Sequence, residues 1–209
     1  NEGQYLWNLP DATGETVQVR VRDLNNPSVL SISQPFRVQG ALEILKPIES
    51  ETWLVGSDQI VQWRSEGTIP QVYLEYSRDG FDKDIHLIEK VSKTNATSTE
   101  SYVWKTPDLI SSKVWLRVRD VANDQVMAVT PEPIEIRGAL SDLQVTGGNQ
   151  WTVGEVQKLA WKTTGSIDLV RLEYSADGFK KHARTIVDGL PNEGHAEWKV
   201  ADAISEEVW

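Results

Sequence analysis

Three sets of side chains have the type and spacing to do chemistry. Asp79, Asp82 and Asp84 crowd one acidic tip, and hard oxygen ligands at that density are what a calcium loop needs. Arg117 and Arg119, with Arg20 and Arg22 as an earlier version of the same pair, project from one side of a strand and could hold an anion or an acidic polysaccharide. Tyr73 and Trp115 occupy outward positions of alternating runs and offer flat faces for stacking on a sugar ring. Each set also has a plain structural reading: a charged turn, cross-strand ion pairs with Glu75 and Glu173, and an interface aromatic. His86, His182 and His195 fall at unrelated positions without metal-ligand spacing, and none of the serines lies in a G-x-S-x-G elbow. No catalytic, cofactor or metal residues are assigned, and Tyr73, Trp115 and Arg117 remain as candidate ligand or interface residues.

These side chains are positioned by a stretch that occurs twice. Val72 to Phe81 reads VYLEYSRDGF, and 98 positions later (72 to 170) the chain reads VRLEYSADGF. Val72, Leu74 and Tyr76 point to one face of a strand, and Tyr73, Glu75 and Ser77 to the other. Asp79-Gly80 then predicts a tight hairpin with positive φ at both central residues, returning into Ile85-His86-Leu87-Ile88. Lys180 and Lys181 follow the second copy, so the acidic ligand set is not shared and a plain turn is the better reading of the tip.

The repeat register divides the chain into three. Tyr5-Leu6-Trp7 matches Tyr102-Val103-Trp104, and Arg20-Val21-Arg22-Asp23 matches Arg117-Val118-Arg119-Asp120. Residues 1–39 therefore read as the C-terminal part of one repeat and residues 40–137 as a complete one. Residues 138–209 read as the N-terminal part of a third, because Gly138-Ala139-Leu140 repeats Gly40-Ala41-Leu42. Strands are expected near 42–46, 59–64, 70–77, 84–91, 100–105, 113–120, 125–129 and 133–137. That density of short strands without a helical period indicates tandem immunoglobulin-like antiparallel β-sandwiches, an all-β fold. A single glycine separates successive copies where a flexible linker would otherwise stand, so a stiff rod or regular superhelix is expected. The cut copies at both ends are expected to reflect a window onto a longer polymer.

Nine tryptophans recur in register: Trp53 with Trp151, Trp63 with Trp161, Trp7 with Trp104 and Trp198, and Trp115 with Trp209. Trp63 and Trp161 stand in step with Val61 and Leu159 and are expected in the core. Trp115 and Trp209 fall on the outward side of their strand. With no cysteine in the chain, the disulfide of antibody-type domains is excluded, and packing alone must fix the core. A net charge of −10 argues against nucleic acid, and no apolar run is long enough to span a bilayer. Asn95-Ala96-Thr97 fits the glycosylation sequon.

The runs GALEILKPIESETWLVGSDQIVQWRSEGTIPQVYLEYSRDGF and YVWKTPDLISSKVWLRVRD resemble the immunoglobulin-like tandem repeats of very large bacterial surface or secreted proteins. They also look distantly like the N-terminal domain of fungal cell-wall glucan-assembly proteins. Ile48-Glu49 departs from the usual Pro-Asn-Gly-Gly-like turn, and Ala201 stands where Pro107 is found. The resemblance implies an extracellular or cell-surface array without catalytic residues or cofactors. The expected function is a non-enzymatic structural segment of a fibre, sheath or adhesin stalk, whose partners are neighbouring repeats and homotypic copies. The alternative is a polysaccharide-binding module that uses the outward aromatics. An enzyme would require a domain outside this stretch.

Overall fold

The computed structural model describes residues 3–11, 14–92 and 98–202, and every regular element among them is a β-strand. The Asn95-Ala96-Thr97 sequon and Val208-Trp209 lie outside the described residues. The chain gathers into two units. The first comprises Asn1–Thr52, Asp58–Lys105 and Ser111–Glu135; the second comprises Trp53–Ser57, Thr106–Ile110 and Ile136–Trp209.

The early strands are β1 (Gly14–Val17), β2 (Arg20–Arg22), β3 (Leu30–Ile32) and β4 (Phe36–Val38). They form two antiparallel pairs, β1 with β4 and β2 with β3. Next come β5 (Ala41–Lys46), β6 (Thr52–Leu54), β7 (Asp58–Glu66), β8 (Gln71–Ser77), β9 (His86–Ser92) and β10 (Ser98–Lys105). They are followed by β11 (Ser111–Asp120), β12 (Met127–Val129) and β13 (Ile134–Arg137). One sheet has the order β10-β7-β5; the other has the order β6-β13-β11-β8-β9, with β12 also on β11. The chain crosses to the second sheet at β6, returns at β7, crosses at β8, returns at β10 and crosses again at β11, alternating between two sheets as immunoglobulin-like sandwiches do. All eight strands expected between residues 40 and 137 are present, within two residues at each end. The ninth, β6, has three residues, too few to show an alternation.

Strict alternation explains the core of the first unit. Val61 and Trp63 of β7, Val72 and Leu74 of β8, and Val114, Leu116 and Val118 of β11 are each at most 1% exposed. Burying a side chain of this size contributes about 1.5–3 kcal/mol, so these positions dominate the stability of the sandwich. A register shift between Leu74 and Glu75 in the β8–β9 pairing places a bulge beside Glu75.

The second unit contains β14 (Ala139–Val145), β15 (Val156–Thr164), β16 (Leu169–Tyr174), β17 (Arg184–Pro191) and β18 (His195–Lys199). They form a sheet of order β14-β15-β18 and an antiparallel pair, β16 with β17. Its core is Leu159, Trp161, Val170, Tyr174 and Trp198, flanked by half-buried Trp151, Ile167 and Leu172. The indole of Trp161 donates to Asn192 Oδ1 at 2.8 Å, which satisfies the polar edge of the largest ring in that core.

Candidate functional site

The outward face of β8 and β11 collects all three candidate residues. Their antiparallel register sets Trp115 opposite Ser77, Arg117 opposite Glu75 and Arg119 opposite Tyr73. Inward neighbours Val114, Leu116 and Val118 are locked in the core, so these outward side chains have a fixed footing. Arg117 Nε donates to Glu75 Oε2 at 2.8 Å, while Arg119 donates to both oxygens, at 2.9 Å to Oε1 and 3.3 Å to Oε2. Arg119 also pairs with Asp124. The guanidinium of Arg117 lies 4.2 Å from the centroid of the Phe81 ring. That of Arg119 lies 5.0 Å from Tyr73, which Lys90 approaches at 5.9 Å. The face is thus a ladder of rings and guanidinium groups strung on one carboxylate.

Glu75 is 5% exposed. Burial pushes its carboxyl up, but the hydrogen bonds and charges of Arg119 and Arg117 more than offset this and hold it below the usual carboxylate range. Hydrogen bonding to Glu75 correspondingly raises Arg119. The cations are therefore matched inside the protein, and an incoming polyanion would compete with Glu75 and Asp124 for them. Tyr73 has its ring beside two cations, and Trp115 is half-buried on the same face.

The acidic tip folds differently from the expected tight hairpin. Positive φ falls on Gly80 (74°) and Phe81 (71°), one residue later than the two-residue turn requires. The reason is the Asp79 carboxylate, which accepts backbone N–H groups from Asp82, Lys83 and Asp84 at 2.9–3.1 Å. Ser77 Oγ donates to Asp79 Oδ1 at 2.7 Å and accepts the N–H of Phe81 at 2.8 Å. This loop delivers the Phe81 ring to Arg117. Asp84 is turned toward Arg78 at 2.9 Å and His86 at 2.6 Å. Arg78, assisted by its backbone N–H and by His86, holds the Asp84 carboxyl far below its ordinary value. Asp79 and Asp84 are thus engaged by the loop's own N–H groups and by Arg78, while Asp82 is exposed and lies 3.9 Å from Lys83 Nζ. Among the described residues no group of three or more His, Asp or Glu side chains could hold a metal ion.

The second unit repeats the bonds that Ser77 and Asp79 make, but not those of Asp84, where His182 stands. Asp177 accepts from the N–H groups of Lys180, Lys181 and His182, and Ser175 Oγ accepts from Phe179 N at 3.1 Å. Phe179 again has positive φ (60°). The outward pairing differs, because Arg171 there binds Asp188 at 2.8–2.9 Å. Residue reading singled out Tyr73, Arg117 and Trp115 and missed Phe81. Its recurrence as Phe179 in the doubled S-x-D-G-F was the available signal. A shallow groove in the second unit is floored by Tyr174, Ile186, Leu190 and Trp198, with Glu193 and His195 at its edge.

No family model matches the chain, and no curated protein matches it. Among solved structures, the chain is similar to the fibronectin(III)-like modules of Clostridium thermocellum CbhA, with 15% identity, 77% of this chain and 79% of that one covered, and a TM-score of 0.28. It is also similar to titin domains Z1Z2 in complex with telethonin, with 16% identity, 81% and 85% covered, and a TM-score of 0.31. A third similarity is to the two immunoglobulin domains of DIP-gamma, with 11% identity, 78% and 84% covered, and a TM-score of 0.28.

Proposed function

We propose that this chain is a non-enzymatic structural segment of a long tandem-repeat protein, with residues 40–137 as one full repeat between parts of two others. Its setting is a bacterial cell surface or the extracellular space, as a fibre, sheath or adhesin stalk whose partners are further copies of itself. One observation carries the reading: the reactive-looking side chains are used to hold the fold, and the loop aspartate does so in the same way in both copies. Asp79 and Asp177 each tie down three backbone N–H groups. The Arg117 and Arg119 charges are matched by Glu75 and Asp124. Small-angle scattering of a polypeptide with two or more complete copies of residues 40–137 tests this. An elongated particle is expected; a compact globule would overturn the reading.

The polysaccharide alternative has one observation behind it. Trp115 stands half-buried beside the arginine ladder, with Tyr73 on the same face. If it holds, Trp115→Ala abolishes binding to a glycan that the native chain captures on an array. Capture of no glycan by the native chain leaves the structural reading.

A further inference from the structure

β8 and β16 are one strand in two settings. Leu172, Glu173 and Tyr174 of β16 repeat Leu74, Glu75 and Tyr76 of β8 at an offset of 98. β8 is flanked on both edges, by β9 and by β11. Among the described residues β16 pairs with β17 alone, so the edge that matches the β11 side of β8 carries no strand. The side chains register the difference. Leu74 and Glu75 are buried, whereas Leu172 is half-buried and Glu173 is exposed. Phe179 is exposed, while its match Phe81 is half-buried beside Arg117. Leu140 and Leu143 of β14 are exposed, while Leu42 and Leu45 are half-buried on β5, which lies beside β11 and β12.

The first unit carries a strand that fits such an edge. β2 and β3 repeat β11 and β12 at an offset of 97. Asp23 N–H donates to Val29 O at 3.0 Å and Ser33 N–H to Val19 O at 2.9 Å, matching Asp120 to Val126 at 2.9 Å and Thr130 to Leu116 at 2.9 Å. The hairpin is therefore already formed, and among the described residues β2 pairs with β3 alone. Val19 and Val21 are 43% and 69% exposed, although their matches Leu116 and Val118 are core residues. Applying the β8–β11 register to β16 and β2 sets Arg20 opposite Glu173, Val21 opposite Leu172 and Val19 opposite Tyr174. Opposite charges then meet on the outward face and apolar groups on the inward one, and cross-strand pairs of both kinds are favourable. The open edges supply the backbone hydrogen bonds.

We propose that the free edge of β16 is a docking site for β2 of a second copy of this chain, paired antiparallel in the register that β11 takes on β8. Each copy then offers one donor strand and one acceptor edge, a heterologous contact that closes into a ring or extends as a filament. The proposal rests on the homotypic partners named above. Complete copies of residues 40–137 contain neither β2 nor β16, so the scattering experiment and this contact can fail separately. Because the chain has no cysteine, Arg20→Cys in one copy and Glu173→Cys in another place a single thiol on each side of the contact. Directly opposite positions on paired strands come close enough for a disulfide. After the two full chains are mixed and oxidised in air, intact-mass measurement should show the mixed dimer. Its yield should be about fivefold that of Lys83→Cys mixed with Glu173→Cys, a pair outside the register. Hydrogen exchange of the native chain needs no substitution: amides of β2 and β16 should slow by about tenfold over about a hundredfold rise in protein concentration. Equal yields in the two mixtures, or exchange in β16 that ignores concentration, overturns the proposal.

Discussion

Glu75 is the residue on which the outward face turns. Its two arginine partners are 12% and 19% exposed at the side chain, so the network is far from the fully solvated pairs that contribute little. Removing the charge from such a carboxylate leaves Arg117 without its counter-ion and Arg119 with Asp124 alone. Glu75→Gln should therefore destabilise the first unit by about 2–3 kcal/mol at neutral pH, read as a lower urea midpoint with an unchanged slope. The pH dependence follows from the direction of the shift, since the folded value lies below the unfolded one. The contribution is complete above about pH 4.3, the ordinary glutamate value, and is lost as pH falls through the folded value. The difference between native and Glu75→Gln midpoints should narrow in acid, and a constant difference from pH 7 to pH 3 would refute the assignment. Alternation alone placed Glu75 beside the arginines, at the strength of a surface pair. What it could not show was the burial, because a loop's path over a sheet face is set by side-chain bonds such as Ser77 to Phe81 N, not by periodicity.

That loop is the element in which local chemistry overrides the expected turn type. Asp-Gly between alternating runs favours a two-residue hairpin, but three N–H groups satisfied by one carboxylate stabilise a wider turn, and positive φ moves on to Phe81. Asp79→Ala should then release the amides of Asp82, Lys83 and Asp84 to rapid hydrogen exchange while those of β8 and β11 stay protected. Protection at all three in the variant would show that the turn is held by something else. Strands such as β7, β8 and β11 were legible because each is long enough, at seven to ten residues, to display alternating apolar side chains. β6 was not, because its three residues carry no period, and only the recurrence of Trp53 as Trp151 hinted at an ordered element there. The wider turn was also written in the sequence, as the doubled S-x-D-G-F, but reading it required the serine and aspartate side chains as acceptors of backbone N–H rather than as turn formers.

At the scale of the whole chain, the recurrence at an offset of 98 residues was the strongest signal, because Trp161 repeats the core position of Trp63 and Ser175 and Asp177 repeat the loop chemistry of Ser77 and Asp79. The hydrogen bond between Asp108 and Ser166 was invisible by comparison: two polar residues 58 positions apart acquire meaning only once the fold brings them together. Two opposing properties bear on whether copies of this chain would meet. The net charge is −10, which keeps surfaces apart. Yet Tyr5, Leu6, Val21 and Leu24 are 69–92% exposed, and apolar groups exposed in such number favour association. Repulsion between surfaces decays over roughly 10 Å at 0.1 M salt and 3 Å at 1 M, whereas apolar burial is not screened. If copies of the chain are its partners, light scattering should show association growing as salt is raised from 0.05 to about 1 M at fixed protein concentration. Substituting Leu6 and Val21 together with Ser should suppress the growth, because the change removes the apolar contribution and leaves the charge untouched. Scattering that stays flat with salt, or growth that survives the double substitution, would count against homotypic assembly through this surface.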